Sequence, residues 1–259
     1  MVPYRKWGDG EMMDQRGNPE LWELAENPVP GDADFYAQYA RLSGGPVLVL
    51  FCGSGRTLVP IARQGLPVMG METDAGVVEL AQRRAQEAGA TRALFVRGDP
   101  TRFSSGAKHA LVVIPNGGLG RLLTAEDQRA CLLAARNALT LGGKLLLDLP
   151  VLDARTFSPQ DQPVVRQLPG EPPRQVVLQR TRRVDPTRQL VEELVACEFL
   201  EEGSVIRKEY LSHSFRYVTP AEVLLLLEGC GYRAVAYGDF DQHPFLPGAS
   251  RLIIEAVRR

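Results

Sequence analysis

Little in this chain points to a charged, stapled or membrane-bound molecule. Among 259 residues, Lys and Arg number 30 and Asp and Glu 31, a formal net charge of -1. A protein that tracks nucleic-acid phosphates carries a basic excess, so no nucleic-acid partner is expected. The four cysteines, Cys52, Cys131, Cys197 and Cys230, are scattered with no C-x-x-C pair and no nearby His. That spacing supports neither a metal site nor a disulfide framework, and it fits free thiols in a reducing compartment. No apolar run approaches the ~18 residues of a membrane span, and the opening MVPYRKWGDGEMMD has no signal-peptide core, so a cytoplasmic protein without a membrane partner is expected. A G-K-[S/T] phosphate-binding lysine is also absent. What remains is 44% hydrophobic and 24% charged, the balance of an ordinary globular protein long enough to bury its own core.

From Asp32 the patterning becomes regular. DADFYAQYARL has the spacing of an amphipathic helix, and PVLVLF (46–51) is a continuous apolar run of strand length that ends in a glycine-rich turn before TLVPIARQ. PVMGME, RALFVRG, HALVVIP and GGKLLLDLP are further short apolar strands, separated by helical VVELAQRRAQEA and TAEDQRACLLAARNAL. Apolar strands alternating with helices predict an α/β fold, a doubly wound and mostly parallel sheet of seven strands. After residue 150 the helical period vanishes. Period-2 alternation in VVLQRTRRV, LVEELVACEFL and SVIRKEYLSHSFRYV predicts a three-stranded antiparallel β flap, with Arg180, Arg182, Glu192 and Glu198 on exposed faces. Thr219-Pro220-Ala221-Glu222 is a capping box that starts the last helix, and the short loop between YRAVAYGDF and RLIIEAV makes the last strand antiparallel. The expected organisation is an N-terminal wrapping segment (1–31), a core (32–150 and 216–259) and an inserted flap (151–215).

Candidate chemistry gathers at the strand ends. Gly53-Ser54-Gly55 follows the first strand, Glu72 ends the second, and Asp99 with Pro100 follows the third. Glycines admit close backbone approach, a helix N-terminus favours an anionic group, and an acid at the end of the second strand can accept from ribose hydroxyls. Taken singly, Glu72 could cap the next helix and Asp99 could shape an Asp-Pro turn. The position three after Gly55 is Leu58, so the third glycine of a dinucleotide fingerprint is missing.

In this order, the GSG turn, Glu72, GDP, IPNG, GGKLLLDL and a closing antiparallel hairpin, the chain resembles the class I S-adenosylmethionine-dependent methyltransferases, in particular the small-molecule branch with an antiparallel flap. The resemblance implies S-adenosyl-L-methionine as cofactor, with Gly53, Ser54 and Gly55 at its methionyl part and Glu72 and Thr73 at the ribose. Asp99 and Pro100 would then meet the adenine, and Asn116 and Gly117 would lie beside the methyl group. The sequence departs from that family at two positions: Val49 stands where an acid is usual and Phe51 where a glycine is usual. A non-catalytic protein that keeps the fold is the reading these departures motivate.

Methyl transfer needs alignment more than proton transfer, so no catalytic triad is required. His213, Arg216, Tyr217, Asp239 and Asp241 are the candidates around the acceptor, with His213 or one of these acids as base. Tyr36 and Trp22, with Tyr4, are candidate aromatic covers for a sulfonium. The implied partner is a small-molecule acceptor.

Overall fold

The computed structural model describes residues 19–25, 29–151, 161–168 and 174–258. The strands form two sheets. The larger has the order β11-β10-β12-β5-β4-β1-β2-β3, from β1 (Val47–Leu50), β2 (Val68–Glu72), β3 (Ala93–Arg97), β4 (His109–Ile114), β5 (Leu139–Pro150), β10 (Tyr232–Gly238), β11 (His243–Pro244) and β12 (Arg251–Arg258). β1 to β5 pair in parallel, whereas β12 runs antiparallel to both β5 and β10. This is the seven-stranded sheet that the sequence predicts plus one two-residue edge strand, β11, formed by His243–Pro244 within the last loop.

All four residues of β1 are fully buried, because helices cover both faces of the sheet. Leu48 and Leu50 join the core under α5 (Ala125–Ala138) and α6 (Pro220–Gly229). Val47 and Val49 join the core under α2 (Asp32–Ser43), α3 (Leu58–Arg63) and α4 (Ala75–Glu87). Helix starts follow their caps. Thr219 Oγ1 accepts from Glu222 N at 3.2 Å and Thr124 Oγ1 from Asp127 N at 3.0 Å. The cap of α4 is Asp74, which accepts from Val77 N at 3.0 Å, so Glu72 is released from that duty.

The second sheet has four antiparallel strands, β6 (Val164–Leu168), β7 (Arg174–Asp185), β8 (Leu190–Glu201) and β9 (Ser204–Arg216). The edge strand β6 was absent from the sequence expectation. Arg180 and Arg182 are a second correction: they share strand parity with Val176 and Leu178 and so face inward, Arg180 being only 4% exposed. The short helix α1 (Pro19–Ala25) ties this sheet to the core. Leu21 and Ala25 pack with Val176, Leu178, Val195 and Leu211, while Glu23 pairs with Arg84 of α4. Tyr4 lies outside the described residues.

Candidate active site

Between the tips of β1, β2, β3, β4 and β5 and the inner face of the flap lies a cavity of about 810 Å³. Its wall holds Glu72, Thr73, Asp99, Pro100, Asn116 and Gly117 on the core side and His213 and Trp22 opposite. Gly53, Ser54, Gly55 and Tyr36, also expected at the site, are buried behind that wall.

Glu72 is 1% exposed. Its Oε2 accepts from Gly53 N at 3.2 Å, and its Oε1 from Thr73 N at 2.8 Å and Thr73 Oγ1 at 3.1 Å. Arg121, on a short 3-10 turn (Gly118–Arg121) after β4, adds two bonds, Nη1 to Oε2 at 2.9 Å and Nη2 to Oε1 at 3.0 Å. Burial opposes the charge. Arg121 and the hydrogen bonds outweigh it and hold the carboxyl below the usual glutamate range. Asp99 sits at the rim and serves its own turn, accepting from Thr101 N at 2.8 Å and Thr101 Oγ1 at 2.6 Å, which depresses its acidity range further.

Phe51 adopts φ 54, the left-handed backbone that glycine takes without cost. Its ring does not close the cavity. It is 7% exposed, packs in the core cluster with Met71, Ile114 and Leu119, and contributes to the cavity wall. Room for it comes from Gly118, where a Cβ would stand 3.0 Å from Phe51 Cβ and Cδ2. The guanidinium of Arg121 lies 5.2 Å over the ring.

A buried charge cluster lies behind the tips of β4 and β5. Asp148, 1% exposed at the tip of β5, accepts from Asn116 N at 2.7 Å, from the Tyr36 hydroxyl and from Arg251. Antiparallel pairing brings Arg251, the first residue of β12, opposite Pro150 and so to the same edge as the strand tips. Arg251 lines the cavity, and its buried Nε has no hydrogen-bond partner among the described residues. Asp32 and Arg56 form a second pair, with both hydrogen bonds at 2.6 Å. Asp239 does not reach the cavity; it accepts from Ser250 N, Ser250 Oγ and Arg251 N and thereby sets the start of β12. Arg216 is committed to Gln128, Gln189 and Glu222 at 2.6–2.9 Å.

On the flap, His213 is cross-strand neighbour to Glu193, with Nε2 3.6 Å from Glu193 Oε1 and its ring centroid 5.4 Å from that of Trp22 in a T-shaped contact. Glu193 forms ion pairs with both Arg180 and Arg182. Burial lowers the His213 pKa, Glu193 works against that, and the nearby arginines, Arg121 among them, reinforce it, so the imidazole is neutral at pH 7. Arg121, Asp148, Glu193 and Arg251 escaped the sequence reading because their partners are distant along the chain.

The residues present fit an adenosyl-methionine ligand on three counts: a buried acid at the second strand tip, an acid at the third, and an orphan guanidinium N–H on the wall. Residues 47–143 match the family described as "Methyltransferase domain". A 56-residue stretch is 43% identical to the 23S rRNA (uracil(1939)-C(5))-methyltransferase RlmD of Stenotrophomonas maltophilia, covering 22% of this chain and 13% of that protein. The chain thus spans about an eighth of the length of the curated relatives it matches. In fold it is similar to the CcbJ methyltransferase from Streptomyces caelestis (TM-score 0.73, 21% identity, 90% of this chain and 97% of that one). It is also similar to the sugar N-methyltransferase KedS8 from Streptoalloteichus (TM-score 0.74, 17% identity, 100% and 99%). Among the described residues no helix is long and apolar enough to cross a membrane. The match to the methyltransferase-domain family lies over the strand tips that carry Glu72 and Asp99, and the fold along the rest is similar to that of the two methyltransferase structures.

Proposed function

We propose that this protein transfers a methyl group from S-adenosylmethionine to a small acceptor held under the flap, with 32–150 and 216–259 as the cofactor-binding core and 151–215 as the flap. The observation that carries the reading is Glu72: a fully buried carboxylate at the second strand tip, on the wall of a cavity large enough for a cofactor and a small molecule. When bound, S-adenosylmethionine supplies a methyl carbon on a positively charged sulfur that departs as a neutral thioether. Glu72, backed by Thr73, takes the ribose, while Asp99 and Pro100 take the adenine. Gly53, Ser54 and Gly55 shape the methionyl end through their backbone, and Arg251 offers its free N–H to the carboxylate there. Asn116 and Gly117 border the methyl group, and the flap with Trp22 excludes water and aligns the acceptor lone pair. Neutral His213 accepts the proton of an acceptor that arrives protonated.

Calorimetry with S-adenosylhomocysteine tests this. Micromolar binding by the wild type and its loss in Glu72→Gln is the expected pair of results. Absence of binding would instead favour a non-catalytic protein that keeps the fold, the reading that Val49 and the Arg121–Glu72 pair support.

A further inference from the structure

The ribose carboxylate already has an internal occupant. Five hydrogen bonds converge on Glu72, and two of them, at 2.9 and 3.0 Å, come from the forked guanidinium of Arg121. A carboxylate offers about four lone-pair sites, so both oxygens are saturated and neither can accept from a ribose hydroxyl while Arg121 stays. The three remaining bonds come from Gly53 and Thr73, at the strand ends themselves, and are compatible with a ligand. Arg121 differs: it reaches in from the turn after β4, is about one-third exposed, and lies on the cavity wall over the Phe51 ring. The neighbouring arginines have other anchors, Arg180 on the Ala25 carbonyl and Glu193, Arg216 on Glu222, and Arg251 on Asp148.

We propose that Arg121 is a specificity-determining residue of the cofactor site, a resident cation on Glu72 that an incoming ligand must exchange for two hydroxyl donors. This rests on the assignment of Glu72 to the ribose. The bidentate guanidinium spans both carboxylate oxygens, and a vicinal diol, one hydroxyl per oxygen, is the neutral donor pair that replaces it contact for contact. Ligands that lack the diol cannot claim Glu72 and gain nothing when Arg121 is removed. The exchange also moves a cation. Arg121 already acts electrostatically on His213 across the cavity, so its release leaves a guanidinium between the Phe51 ring and the flap in the loaded protein. Discrimination of this kind comes from a competing internal contact rather than from added contacts to the right ligand.

The test is calorimetric titration of the full chain with S-adenosylhomocysteine, in wild type, Arg121→Ala and Arg121→Gln, with adenine as a ribose-free probe followed by NMR shifts. Arg121→Gln keeps most of the packing over Phe51, and thermal melts confirm that each variant is folded. The expected result is about tenfold or greater tightening for S-adenosylhomocysteine in both variants, an unchanged affinity for adenine, and no tightening when Arg121→Ala is combined with Glu72→Gln. Wild-type binding with equal or weaker affinity in both folded variants overturns the proposal and leaves the cofactor assignment standing. Tightening that extends equally to adenine overturns it too, because the gain would then not come from Glu72. Binding seen only in the variants supports the exchange in its strongest form. No binding in any of the three proteins removes the cofactor assignment and this inference together.

Discussion

Replacing Asp148 by Asn tests whether the buried charge cluster at the tips of β4 and β5 is a working part of the scaffold. The side chain is 1% exposed and carries three partners, the Tyr36 hydroxyl, Asn116 N at 2.7 Å and Arg251. Asn keeps the volume and one acceptor oxygen, so neither a cavity nor a wholesale loss of hydrogen bonds enters the result. What it removes is the charge opposite Arg251, whose side chain is only 12% exposed. Breaking one side of a buried ion pair costs about 3–5 kcal/mol, because the surviving charge stays buried without compensation. For a chain of this size each kcal/mol lowers Tm by about 2–4 °C, so a fall of about 6–20 °C is expected. The assay is thermal and urea unfolding of wild type, Asp148→Asn, Arg251→Met and the double variant. Because the penalty comes from the orphaned charge, the double variant regains most of the loss, a coupling of at least 2 kcal/mol by the standard cycle. If Asp148→Asn melts within 2 °C of wild type, or the double variant is simply the sum of the singles, the ion pair does not hold the strand tips together and the reasoning fails.

The same packing sets two further outcomes. Phe51→Gly relieves a left-handed φ worth about 1 kcal/mol but vacates a core position whose loss costs about 3–5 kcal/mol, so a net destabilisation of about 2–4 kcal/mol is expected in urea unfolding; a stabilised variant would contradict the packing described. His109 and His213 are both held neutral, their pKa values lowered by burial. A lowered folded-state pKa means that the unfolded chain takes up protons first as pH drops below about 6.5, so stability declines from there by up to about 1.4 kcal/mol per pH unit for each group, and a His109→Asn/His213→Gln protein shows a flatter curve between pH 7 and 5.

The strand tips were legible in the sequence because everything that makes them is local. Apolar runs of four to six residues are flanked by glycine or by an acid, and the Thr219–Glu222 box needs no partner outside itself. The inward turn of Arg180 and Arg182 was legible too, in principle, since parity with Val176 and Leu178 fixes their side of the strand; reading arginine as solvent-facing overrode it, and Glu193, with Asp161 on Arg182 and the Ala25 carbonyl on Arg180, compensates the burial. Arg121 and Glu72 lie 49 residues apart, and Arg251 and Asp148 lie 103 apart. No periodicity predicts such pairs. One signal did exist for the second, because an antiparallel last strand must bring its first residue to the edge where the parallel strands end, and that residue is an arginine. Phe51 and Gly118 form a pair of the same kind, a bulky residue and the glycine that makes room for it on the next loop.

Val49 can be judged by the charges around Tyr36. Asp32, Arg56 and Arg251 all act on the Tyr36 hydroxyl, which donates to Asp148, so two acids and two arginines already balance there. Val49 is fully buried in the same apolar cluster as Tyr36 and Ile253. An acid at this position would add a charge to an arrangement whose two acids and two arginines already balance. Val49→Asp is therefore expected to cost at least about 3 kcal/mol at pH 7 without tightening S-adenosylhomocysteine. The introduced carboxyl would have a raised pKa, so part of its cost is relieved as it protonates, and the gap to wild type in urea unfolding narrows from pH 7 to pH 5. A Val49→Asp protein as stable as wild type and binding S-adenosylhomocysteine more tightly would mean that the site lacks an acid after all. On the charge balance described, Asp148 and Asp32 already supply the negative charge that an acid on β1 would otherwise bring.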